Sequence, residues 1–362
     1  MFHIFETTLR CFNRGSYRKR RLIFTNKYIA GRGRKSYCFF TVLVGCIFWI
    51  LFINKKYLMK NFLEDDWWSG SPIWDEDKKP HLNPHVFQFL LDSPTICSKN
   101  ENVDLLVMVS SAYHHLDRRD AIRNSWGSKK WREPRNIKVV FLLGHVTNKQ
   151  SDIYVENNKN NDIIQEDFKD TYYNLTLKTV MGLKWTSIYC PQAKFVLKTD
   201  DDMFISIPTL HTALQKDLHF DKHIVGCIKN NPETAPQPIP SSSKFQSLPH
   251  AHPLFVAGAG YMLPGQGLIR DLYYASLRTG FFAIEDVFTT AHVASRIGLH
   301  PPVHDSRFSC GEMSPINYEK LDFVQNCKRL KYKFTEHKVK PEDMNSLYSI
   351  LNSNDCMDME VR

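Results

Sequence analysis

The run with the most evident chemical capacity is Lys198-Thr199-Asp200-Asp201-Asp202, which closes the short apolar stretch Lys194–Thr199. Three adjacent carboxylates repel one another, so a fold that keeps them offers a counter-cation. Hard oxygen donors select Mg²⁺ or Mn²⁺, ions that in turn grip a diphosphate. Ligands of open α/β sheets bind at the carboxyl ends of the strands, where this cluster falls, although a solvated acidic turn has the same appearance. A second acidic pair, Glu285-Asp286, follows the apolar residues Phe281–Ile284. A carboxylate in apolar surroundings has its pKa raised toward use as a general base, while an Asp just before a helix is also an ordinary N-cap. Gly258-Ala259-Gly260-Tyr261 lets a backbone approach a ligand closely, or simply packs tightly. Arg119 and Arg123 stand four apart on one helix face, able to meet phosphate or to form a structural ion cluster.

These residues need a scaffold, and the pattern from Val103 onward supplies one. Val103–Ser110, Ile137–Leu143 and Lys194–Thr199 are short apolar runs that predict buried strands. Thr171–Tyr189 places Leu177, Met181, Trp185 and Ile188 at helical spacing, which predicts a core-facing stripe. Strands alternating with helices predict an α/β domain with a mainly parallel sheet. The Pro- and Ser-rich stretch Asn230–His252 is too long for an ordinary connection.

The charge balance argues against nucleic acid as a partner. The chain has 362 residues with 47 Lys+Arg and 38 Asp+Glu, and residues 1–36 account for 10 of the bases and one acid, Glu6, so residues 37–362 hold 37 of each. A basic tail on a neutral body is not a basic domain. After the tail, residues 37–53 carry no charge, long enough for a helix to span a bilayer. The long n-region and the exit Asn54-Lys55-Lys56 point to an uncleaved signal-anchor rather than a signal peptide. Residues 17–36 carry eight Lys/Arg and residues 54–73 three, so the positive-inside rule keeps the N-terminus cytoplasmic. The short, aromatic-rich span suits the early secretory pathway. The expected organisation is a cytoplasmic tail (1–36), a transmembrane signal-anchor (37–53), a luminal stem (54–100) and a luminal domain (101–362), in a single-pass type II protein of the Golgi membrane. The six cysteines beyond the span, Cys97, Cys190, Cys227, Cys310, Cys327 and Cys356, are an even number suited to disulfides of unspecified pairing. Asn174-Leu175-Thr176 is an N-glycosylation sequon.

From about Val103 to Met344 the motifs and their order resemble the β1,3-galactosyltransferase family. The matching segments are Arg119-Asp-Ala-Ile-Arg123-Asn-Ser-Trp126-Gly, Phe141-Leu-Leu-Gly144, Asp170-Thr-Tyr-Tyr-Asn174-Leu-Thr-Leu-Lys178-Thr, Lys198-Thr-Asp-Asp-Asp202, Gly258-Ala-Gly260-Tyr261, Glu285-Asp286-Val287 and His337-Lys-Val-Lys-Pro341-Glu-Asp-Met344. The resemblance implies a GT-A fold, Rossmann-like with a mainly parallel central sheet. It also implies a UDP-sugar donor, a glycan acceptor on glycoprotein or glycolipid, Mn²⁺ (or Mg²⁺), and inversion at the anomeric carbon. It implies that Asp286 is the base and that Asp202, helped by Asp200, holds the metal. Asp201 would meet the ribose or hold the loop, and His337 would be a further metal ligand in competition with His300 and His304. Arg119 and Arg123 would lie near the nucleotide, and Gly258, Gly260 and Glu285 would line the sugar pocket. Val256, Ala291 and Ser206 depart from the family's usual Cys, Gly and Asn, which bears on sugar specificity more than on catalysis. The expected function is transfer of galactose from UDP-galactose in β1,3 linkage. The alternatives are UDP-N-acetylglucosamine or UDP-N-acetylgalactosamine as donor, or a catalytically silent glycan-binding relative.

Overall fold

The computed structural model of the chain describes residues 81–98, 100–229, 253–311 and 317–359. The basic tail, the apolar span, most of the stem and the stretch Asn230–His252 lie outside the described residues, among which no helix is long and apolar enough to cross a membrane.

The predicted strands form the centre of an eight-stranded sheet of order β1-β4-β3-β2-β5-β8-β7-β9. Its strands are β1 (Phe89–Leu91), β2 (Leu105–Ser110), β3 (Ile137–His145), β4 (Ile163–Lys169), β5 (Phe195–Asp200), β7 (Val225–Lys229), β8 (Phe255–Pro264) and β9 (Val303–His304). Strands β4, β3, β2 and β5 run parallel, while β8 is antiparallel to β5 and to β7. The parallel expectation therefore holds for one half of the sheet, and strand β5, which ends in the acidic triplet, lies where the direction changes. Strand β2 is buried on both faces because helices cover both: Leu105, Val107 and Val109 join one apolar cluster, and Leu106 and Met108 the other. Each such side chain contributes roughly 1.5–3 kcal/mol by leaving water.

Helices α1 (Leu116–Asn124), α2 (Gln150–Asn160), α5 (Phe323–Tyr332) and α6 (Pro341–Leu351) lie on one face; α3 (Leu175–Tyr189) and α4 (Leu268–Arg278) lie on the other. Gly182 lets α3 press against the sheet, since a Cβ there would stand 2.9 Å from the sulfur of Met108 and 2.8 Å from Leu142. Met181 and Trp185 are core residues as predicted, but Ile188 is 54% exposed. The buried surface of α3 is broad because the helix is sandwiched between sheet and α4, and it rotates away from Ile188 in the last turn.

The stem expectation is corrected at its C-terminal end. Residues 81–98 belong to the folded body: β1 pairs antiparallel with β4, His85 meets Glu166, and the indole N–H of Trp185 donates to the Asp92 carbonyl. Disulfide Cys97–Cys190 closes this segment onto the end of α3; Cys227–Cys310 and Cys327–Cys356 complete the pairing.

Candidate active site

Strands β2 and β5 end side by side, with Ser110 opposite Asp200, so the acidic triplet leaves the sheet next to the loop that follows β2. After the triplet the chain forms β6 (Met203–Ile205), which pairs antiparallel with β10 (Thr335–His337), bringing His337 opposite Met203. Local signals bound the segment that carries β10. Asp322 and Gln325 form a reciprocal capping box that starts α5, and Lys338, in the left-handed region at φ 57°, turns the chain after His337. The Val339 N–H then donates to the Asp202 carbonyl at 2.9 Å, and Trp126 Nε1 donates to the Met203 carbonyl.

Each aspartate of the triplet meets different partners. Asp200 Oδ1 accepts from Lys198 Nζ at 2.9 Å, because residues two apart on a strand share a face. Lys198 is 2% exposed and also reaches the Gly258 carbonyl at 2.9 Å and Glu285 Oε2 at 3.2 Å. Burial works against its charge, and the carboxylates of Asp200 and Glu285 outweigh burial and keep it protonated. Asp201 accepts from Ser111 Oγ (2.7 Å) and Arg118 Nη1 (2.9 Å) and bonds His115 Nδ1 (2.8 Å). Burial alone would raise its pKa; the bonds from His115 and Ser111 and the charge of Arg118 hold it below the usual carboxylate range. Asp202 is the more open of these two, with Arg118 Nη1 at 3.8 Å and His337 Nε2 at 4.0 Å.

Asp286 stands at the start of the helical turn Glu285–Val287, which continues into the π-helix Phe288–Val293. Its neighbour Glu285 is spent inside the fold, accepting from the hydroxyls of Tyr261 and Thr289 while pairing with Lys198. Asp286 itself is half-buried, and its oxygens accept the N–H groups of Gly258 (3.0 Å) and Val287 (2.9 Å). Burial pushes its carboxyl up to about 6; the charge of Glu285 adds to this, and Lys198 and the two N–H groups oppose it. Gly258 permits the contact, since a Cβ there would lie 3.2 Å from Asp286 Oδ2. Gly260 is paired with Thr199 and has only ordinary contacts around its own Cβ position. The phenol pKa of Tyr172, a residue 67% exposed, is raised by partial burial and then by the charges of Asp286 and Asp200.

The predicted arginines are placed differently. Arg119 is fully buried, bonded to both oxygens of Glu156, to Ser111 Oγ and to the carbonyls of Ala112 and Tyr113. Arg123 is divided among Asp120, Glu156 and Asp162. Both arginines are thus engaged in an ion cluster within the fold, the second of the two readings their spacing allowed. The arginine that faces the triplet is Arg118, which the i, i+4 pattern passed over. Asn174 donates its amide to the Lys169 carbonyl at the head of α3, and the sequon hydroxyl of Thr176 is buried against the Phe282 carbonyl.

The donors near Asp202 suit a hard divalent ion. Asp202 Oδ1 and His337 Nε2 are 4.0 Å apart, and a carboxylate with an imidazole is a donor pair that would suit such an ion. Among the described residues no three His, Cys, Asp or Glu side chains cluster as a metal site. Asp200 keeps one oxygen, Oδ1, on Lys198. Of the competing histidines, His304 Nδ1 accepts the Ile228 N–H and His300 bonds the Leu254 carbonyl.

The galactosyltransferase family profile matches residues 117–304. Beta-1,3-galactosyltransferase 1 of Mus musculus is 30% identical over 282 residues, covering 75% of this chain and 81% of that protein. Beta-1,3-galactosyltransferase 5 of Homo sapiens is 37% identical over 188 residues, 51% of this chain and 60% of that protein. Among solved structures, the galactosyltransferase LgtC with donor and acceptor sugar analogs superposes at a TM-score of 0.37 with 11% identity, over 69% of this chain and 96% of that one. On the sequence matches, the chain belongs to the β1,3-galactosyltransferase family of glycosyltransferases.

Proposed function

We propose that this glycosyltransferase is an inverting, metal-dependent β1,3-galactosyltransferase of GT-A type. It moves galactose from UDP-galactose to a glycan acceptor on glycoprotein or glycolipid. The observation that carries the proposal is Asp286: a half-buried carboxylate with its pKa at about 6, beside a buried Lys198–Glu285 pair that leads to the acidic strand end. A β-linked product from an α-linked donor requires one in-line displacement, hence a base on the face opposite the leaving group. Asp286 takes the proton of the acceptor hydroxyl as that oxygen bonds the anomeric carbon. The bond from that carbon to the phosphate oxygen breaks, and UDP departs with the electron pair. The N–H groups of Gly258 and Val287 fix the carboxylate, and each oxygen keeps a lone pair for the incoming proton. Asp202 and His337 would hold Mn²⁺ or Mg²⁺. When bound, the ion supplies positive charge against the leaving diphosphate.

The chain acts as a single-pass type II protein of the Golgi membrane with its catalytic body in the lumen. The three disulfides support an oxidising compartment. A C-terminal epitope protected from protease in sealed Golgi vesicles is the expected result; an accessible one refutes this orientation.

The test of chemistry is linkage analysis of products made by the full chain in detergent with UDP-galactose, UDP-N-acetylglucosamine or UDP-N-acetylgalactosamine, with Mn²⁺ or with EDTA. A β1,3-galactoside formed only with metal is expected. Asp286→Asn is expected to lower kcat by roughly 10²–10⁴ while leaving the Kd for UDP unchanged. Full activity of that variant removes the base assignment.

A further inference from the structure

Arg118 occupies the first turn of α1, one residue before the buried Arg119, and the helix rotation sends the two side chains to different places. Arg119 turns into the core. Arg118 stays 32% exposed and uses Nη1 alone, which donates to Asp201 Oδ1 at 2.9 Å and lies 3.8 Å from Asp202 Oδ2. Among the described residues these are its ion-pair partners. A guanidinium is a planar fork of five N–H donors, so an Arg anchored through one nitrogen keeps a second edge for an oxyanion.

The surrounding charge makes such an edge necessary. The carboxylates Asp200, Asp201, Asp202, Glu285 and Asp286 outnumber the Lys and Arg cations paired with them, Lys198 and Arg118, with the imidazoles of His115 and His337 beside Asp201 and Asp202. Lys198 is only 2% exposed and is consumed by Asp200 and Glu285, so it cannot turn to a ligand. A diphosphate entering this acidic strand end gains from a side-chain cation at its surface, and among the described Lys and Arg side chains Arg118 is within ion-pair distance of Asp202, with the imidazole of His337 on the other oxygen. Ser111 and His115 serve Asp201 Oδ2, while Oδ1 takes its bond from Arg118 Nη1, which is the anchor that holds the guanidinium at the triplet.

We propose that Arg118 is a donor-diphosphate contact: anchored on Asp201, it presents its remaining guanidinium edge to the pyrophosphate of the nucleotide sugar beside Asp202. The assignment rests on the nucleotide-sugar function proposed above. It goes further in placing diphosphate recognition on a residue outside the Arg119–Arg123 pair.

The test is titration of the full chain in detergent with UDP, UMP and uridine at saturating Mn²⁺, for wild type, Arg118→Ala and Arg118→Lys, together with their Tm values. Loss of one charge-assisted contact corresponds to about a tenfold rise in Kd. Arg118→Ala is expected to show that rise for UDP, with uridine within twofold and Tm lowered because Asp201 Oδ1 loses its donor; Arg118→Lys, which keeps a charge near Asp201 but lacks the fork, falls between in both readouts. An equal loss for uridine and UDP, or a UDP affinity within twofold of wild type, overturns the assignment. Wild-type chain that binds no UDP overturns both it and the function beneath it, whereas wild-type binding with an unaffected Arg118→Ala overturns this assignment alone.

Discussion

At the scale of single residues, the protonation of one carboxylate governs the expected behaviour. Asp286 titrates at about 6 because burial and the Glu285 charge outweigh Lys198 and two N–H donors. A base works when ionised, so kcat/KM is expected to rise with pH through about 6 and to flatten above it. Glu285→Gln removes a neighbouring negative charge, which favours the ionised form of Asp286. The acid limb of the profile should therefore move to lower pH, and a pH–rate series shows whether it does. A limb that stays in place or moves upward would mean that Glu285 acts on the site by position rather than charge. Asp286 and Glu285 were legible in the sequence as a pair. Their division of labour was not, because it depends on Lys198 and Tyr261 arriving from other strands.

At the scale of elements, β8 and its exits fix the geometry of the base. Gly258→Ala would bring a Cβ to 3.2 Å from Asp286 Oδ2, so the carboxyl must move by a few tenths of an ångström. A fall in kcat with little change in Tm is expected, since misplacement of a reacting group is costly while the overpacking is slight. Gly265→Ala is the contrasting case. Its Cβ would stand 2.0 Å from the Ala193 carbonyl in the connection from β8 to α4, and backbone cannot yield as a side chain can. That variant should lose several kcal/mol of stability, roughly the upper end of what overpacking costs, and fail thermal melting comparisons before any kinetic one. The strands β2, β3 and β5 and the helix α3 were readable because apolar runs and 3.6-residue spacing are local properties. The antiparallel insertion of β8 was not readable, since strand direction within a sheet is decided by long-range pairing.

For the molecule as a whole, the segment ahead of β2 is held to the body by β1 and by Cys97–Cys190, which are 93 positions apart. Replacing both cysteines by serine is expected to cost about 2–5 kcal/mol, read as a lower Tm, with the chemistry at 25 °C retained. A double variant as stable as wild type would show that β1 alone suffices. The sequence by itself determined the α/β class, the acidic strand end, the Glu285-Asp286 pair and the family, because each is carried by residue types at short, fixed spacing. Only the tertiary structure decided how six cysteines pair and that residues 81–98 belong to the body. It alone separated Arg119 in the core from Arg118 at the triplet, and set His337 opposite Met203. Those outcomes depend on which distant segments share a surface, and burial, ion pairing and hydrogen bonding choose among partners that spacing along the chain leaves equal.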